Sequence, residues 1–108
     1  MKVLCLCQKG NMRSVALAYL LKTEYSVDAL ASGVHTSSPE TKDMLFRWCD
    51  RIILTSDRYT DTIPAAYRKK LTVWHVGTDR WFKGYDAELV HLLHGFIGKD
   101  GTFVRVKE

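Results

Sequence analysis

The chain has 108 residues, 46% of them hydrophobic and 26% charged, which suits one domain with one core and excludes a two-domain enzyme. With 2 Pro and 7 Gly it is neither low-complexity nor disordered, no apolar run nears the about 20 residues of a membrane span, and the opening apolar run breaks too early for a signal peptide, so the cytoplasm is the expected location. Sixteen Lys plus Arg against twelve Asp plus Glu leave a net charge of +4, which favours anionic partners but lacks the broad basic stripe of a nucleic-acid binder, so no nucleic-acid partner is expected, and three cysteines, an odd count, argue against a disulfide framework.

In chain order, the compact apolar run 2–7 reads as a strand and 14–22, dense in Ala and Leu, as a helix. A short strand over 27–31 ends at Ser32-Gly33. Ser38-Pro39-Glu40 then supplies an N-cap, a first-turn proline and a first-turn acid for a helix through Trp48. Residues 51–55 form a third strand, 59–70 a helical stretch interrupted at Pro64, and 71–76 a fourth strand. Arg68-Lys69-Lys70 is expected to cover a solvated helix end. The last helix spans 86–97, with Glu88, His91 and His94 on its solvated side. The tail 99–106 reads as a turn and a short alternating strand whose edge would be open to pairing.

Alternating strands and helices imply an α/β fold: a small doubly wound sandwich with a four-stranded parallel sheet and helices on both faces, to which the tail could add one extra C-terminal strand. Such sheets bind ligands at the carboxyl ends of their strands, so the segments after Cys7, Gly33, Ser56 and Val76 should share one rim.

The first of those segments holds the most specific chemistry. Cys7-Gln8-Lys9-Gly10-Asn11-Met12-Arg13-Ser14 sets a thiol at a strand end, an arginine six residues later, then a hydroxyl and a helix start. A loop wrapped between them would aim the backbone N–H groups of Gln8, Lys9, Gly10, Asn11, Met12 and Arg13 at one anion, and a phosphate would fit. Arg13 could grip two phosphate oxygens with its fork, and the same positive field would favour a Cys7 thiolate. Gly10 permits a tight turn, and Ser14 could donate to the sulfur. Cys5 and Cys49 read as core residues.

With Val3-Leu4-Cys5-Leu6-Cys7 leading into Cys-x5-Arg-Ser, Ala31-Ser32-Gly33, Trp48-Cys49-Asp50-Arg51-Ile52-Ile53-Leu54, Asp79-Arg80-Trp81 and Asp86-Ala87-Glu88-Leu89-Val90 in this order, the chain resembles the low-molecular-weight protein tyrosine phosphatases, and most of all their short bacterial branch. The resemblance spans almost the whole chain as one phosphatase-like domain, residues 1–108. It implies a cysteine-dependent phosphatase in which Cys7 is the nucleophile, Arg13 the phosphate clamp, Ser14 the thiolate partner and Asp79 the general acid. The substrate would be a phosphotyrosine protein or a small aryl phosphate, with inorganic phosphate as product and no metal or other cofactor. Trp81, Phe82 and Tyr85 could wall the slot for the substrate ring.

Three departures from the family pattern stand out. Gly10-Asn11 lies three and four residues after the cysteine instead of two and three. Asp79-Arg80-Trp81 replaces Asp-Pro-aromatic, and Met12 stands where a second cysteine is usual. Two other functions fit an anion cradle at this position. One is a non-catalytic phosphate- or phosphopeptide-binding module; the other is an arsenate reductase, which would need resolving cysteines to relay electrons from Cys7.

Overall fold

An unbroken apolar run is stable as a strand only when both of its faces are covered, and residues 3–7 are all buried within the strand Lys2–Cys7 (β1). The computed structural model describes residues 1–7, 13–34, 38–55, 57–76 and 87–106. After β1 come the helix Arg13–Glu24 (α1), the strand Asp28–Gly33 (β2), the helix Pro39–Trp48 (α2) and the strand Arg51–Leu54 (β3). Two 3₁₀ helices, Asp57–Thr62 and Ala65–Lys70, lead to the strand Leu71–Val73 (β4), and the helix Ala87–Asp100 (α3) follows.

The four strands form one all-parallel sheet in the order β2-β1-β3-β4. Cys7 pairs with Gly33 on one side, while Leu6 pairs with Leu54 on the other. Side chains alternate across the sheet. Val3, Cys5 and Ile53 face a cluster built with Leu17, Leu20 and Leu21 of α1 and Leu89, Leu93 and Ile97 of α3. Leu4, Leu6, Ile52 and Leu54 face the opposite cluster, with Phe46 of α2 and Ile63 between the 3₁₀ helices. Helices thus cover both faces, as a doubly wound α/β sandwich requires. Among the described residues, no helix is long and apolar enough to cross a membrane.

Local chemistry explains the helix ends. Ser38 Oγ accepts from the Thr41 N–H at 3.1 Å and Pro39 opens α2. At the other end Lys70 Nζ donates to the carbonyls of Phe46 and Cys49, both at 2.7 Å. Lys70 is therefore not part of a solvated run, because the orphan carbonyls at the end of α2 attract a cation. Arg68 Nε donates to the Ile63 carbonyl at 3.0 Å. The stretch expected to be helical around Pro64 is split into two 3₁₀ helices, since proline lacks an N–H to continue the ladder.

Two expectations at the C-terminal end are corrected. Helix α3 continues to Asp100 and stops at Gly101, whose φ of 77° breaks the helix. Residues 101–106 form no strand, and the alternating pattern there serves a different contact. Phe103 packs against the core, the Val106 N–H donates to the Glu24 carbonyl at 2.7 Å, and Arg105 pairs with the Glu24 carboxylate. The tail is strapped to the end of α1 instead of a sheet edge. His94 is not on a solvated face either: its Nδ1 lies 2.9 Å from the Tyr25 hydroxyl and its Nε2 3.7 Å from Glu24 Oε1, because α3 packs against α1. Glu88 and His91 are exposed as expected.

Candidate functional site

In this sheet the chain passes from β1 to β2 on one side, then crosses to β3 on the other. The connection leaving β1 leads to β2 and the one leaving its neighbour β3 leads to β4, so the two part between these strands, which is where doubly wound sheets take their ligands. Cys7 is the last residue of β1 and sits at this point.

Both neighbouring strands hold it. The Cys7 carbonyl accepts from the Val34 N–H at 2.9 Å on the β2 side. The preceding carbonyl, that of Leu6, accepts from both the N–H and the Oγ1 of Thr55, each at 3.0 Å, on the β3 side. Helix α1 then returns to the strand end, and Ser14 in its first turn brings Oγ to 3.1 Å from Cys7 Sγ, with both groups buried. A thiolate at this position would accept a hydrogen bond from the Ser14 hydroxyl and lie near the positive end of the α1 dipole.

Arg13, the first residue of α1, is only 3% exposed. Arginine is rarely buried so completely, and its charge acts with little solvent screening on the groups around it. Cys7 and Ser14 thus meet at one strand end, and Arg13 directly precedes Ser14 in the chain. The remaining expected site residues lie outside the described residues: Gln8, Lys9, Gly10, Asn11 and Met12 of the anion-binding segment, and Asp79, Trp81, Phe82 and Tyr85 of the acid and ring-binding segment.

The three thiols are chemically distinct. All are free. Burial pushes the Cys5 thiol far above its ordinary range, and the nearby Cys7 adds to that shift, so Cys5 stays a protonated core residue. Burial also raises Cys49, against the opposing pull of Lys70. Cys49 packs in the cluster on the other face of the sheet from Cys5, between α2 and β3.

Thr55 is the residue that the sequence reading left without a role. A polar residue closing the apolar run Ile52-Ile53-Leu54 at the carboxyl end of a parallel strand was the available signal. Compared with models of protein families, with curated proteins and with solved structures, the chain matches none of them.

Proposed function

We propose that the chain is a cysteine-dependent phosphatase acting on phosphotyrosine or other aryl phosphate monoesters. The observation that carries the proposal is the buried 3.1 Å contact between Cys7 Sγ and Ser14 Oγ at the switch point of the sheet, next to the buried Arg13. Its resemblance to the low-molecular-weight tyrosine phosphatases supports the same reading and supplies the general acid, Asp79.

In the proposed reaction the Cys7 thiolate attacks phosphorus in line while Arg13 and the backbone amides that follow Cys7 hold the equatorial oxygens. A sulfur–phosphorus bond forms, the bond to the ester oxygen breaks, and Asp79 gives its proton to the departing phenolate. Asp79, now a carboxylate, takes a proton from water, whose oxygen displaces the sulfur and releases inorganic phosphate. Ser14 stabilises the thiolate as nucleophile first and as leaving group second. A thiol that must stay reduced suits the cytoplasm, where glutathione and thioredoxin keep such groups free.

Hydrolysis of p-nitrophenyl phosphate by the purified protein in excess chelator tests the proposal, with Cys7→Ser as control. Turnover that needs Cys7 and persists in chelator is the expected result. A protein that binds vanadate but turns nothing over would be a phosphate-binding module, and turnover abolished by chelator would overturn the cysteine mechanism.

A further inference from the structure

Thr55 is fully buried, and the reaction above gives it no part. Its backbone N–H alone extends the β3 ladder to the Leu6 carbonyl, so a valine there would satisfy the backbone equally well. A buried hydroxyl is unfavourable unless it is hydrogen-bonded, and this one donates to that same carbonyl at 3.0 Å. Two donors from one residue therefore converge on the carbonyl that immediately precedes Cys7.

A peptide group is planar, so fixing the direction of the Leu6 carbonyl also fixes the direction of the Cys7 N–H. The peptide on the other side of Cys7 is fixed through its own carbonyl by the Val34 N–H at 2.9 Å. With both flanking peptides held, the Cα–Cβ bond of Cys7 is aimed in one direction, from which Sγ lies 3.1 Å from Ser14 Oγ. We propose that Thr55 is a positioning residue for Cys7: its hydroxyl locks the Leu6–Cys7 peptide so that the sulfur stays against Ser14. The inference rests on reading Cys7 as the nucleophile.

Thr55→Val removes the hydroxyl at nearly constant volume, whereas Thr55→Ser keeps it. The test follows the rate of Cys7 alkylation by iodoacetamide across pH, with the modified peptide identified by mass, beside kcat and KM for p-nitrophenyl phosphate and the melting temperature. In Thr55→Val the alkylation midpoint should rise by about half a pH unit or more. Its kcat should fall about tenfold with KM within about twofold, because a slightly misplaced nucleophile costs rate more than binding. Thr55→Ser should restore both readouts to near wild type.

An unchanged midpoint and kcat in folded Thr55→Val would reduce Thr55 to a packing residue and overturn the proposal, whatever the melting temperature. Should valine prevent folding, Thr55→Ser against Thr55→Ala isolates the hydroxyl in the same way. If wild-type protein shows no turnover, the phosphatase reading fails, and the alkylation midpoints still decide the role of Thr55.

Discussion

Cys7 and Ser14 belong to different elements, the end of β1 and the first turn of α1, yet their Sγ and Oγ atoms meet at 3.1 Å with neither group open to water. A hydrogen bond to a charged group in such surroundings is worth about 1.5–3 kcal/mol. Ser14→Ala should accordingly raise the pH midpoint of Cys7 alkylation by about one unit and lower kcat for aryl phosphates about tenfold or more. Wild-type alkylation behaviour in this variant would mean that the contact does not stabilise the thiolate.

Arg13→Lys tests geometry apart from charge. Lysine keeps the positive charge but loses the planar fork, and its flexible ammonium cannot replace two parallel donors on a phosphoryl group. The expected outcome is a fall in kcat/KM of about 100-fold, the usual effect of losing a donor that stabilises the transition state, with weaker binding of vanadate by calorimetry. Near wild-type kinetics would assign the buried guanidinium to structure alone.

The dependence on leaving group tests Asp79. An acid matters most when the departing phenolate is basic, so Asp79→Asn should slow hydrolysis of phosphotyrosine more than that of p-nitrophenyl phosphate, by about tenfold or more between the two. The alkaline limb of the pH–rate profile should flatten as well. Equal slowing of both substrates with an unchanged profile would move the search for the acid to Asp86 or Asp57.

Stability in acid should report the opposite end of the sheet. Arg51 Nη1 donates to Asp100 Oδ1 at 2.8 Å, and Arg51 Nη2 pairs with Oδ2, fastening the start of β3 to the end of α3. The hydrogen bonds from Arg51 hold the Asp100 carboxyl down from 3.8 to about 2, against the raising effect of burial. A depressed carboxyl contributes stability that is fully present above its unfolded pKa and is lost as pH falls toward its folded one. The stability gap between wild type and Asp100→Asn, measured by urea unfolding, should therefore be widest above about pH 5 and shrink as pH falls toward 2. A gap that stays constant with pH would show that the ion pair does not couple to folding.

Periodicity and element order alone determined the α/β class, the four parallel strands and the helices on both faces, because the run 3–7, the Ala- and Leu-rich stretch after Arg13 and the Ser38-Pro39-Glu40 start are local signals set by backbone geometry. The nearness of Cys7 and Ser14 was legible for the same reason: a strand, a short connection and a helix necessarily return to one end of the sheet. Thr55 was not, since its hydroxyl acquires a role only when β3 pairs in parallel beside β1 and sets it against the Leu6 carbonyl. The tail shows the same limit. An alternating pattern over 102–106 suits a strand anywhere, and only the packing of α3 on α1 put Glu24 within reach of Arg105 and the Val106 N–H, so the segment became a strap. Lys70 likewise left the solvated run assigned to it, because the carbonyls at the end of α2 come close to it only in three dimensions. Sequence determined what each segment could form through local propensity, and tertiary structure decided which polar groups met, because burial leaves each of them needing a partner that distant segments must supply.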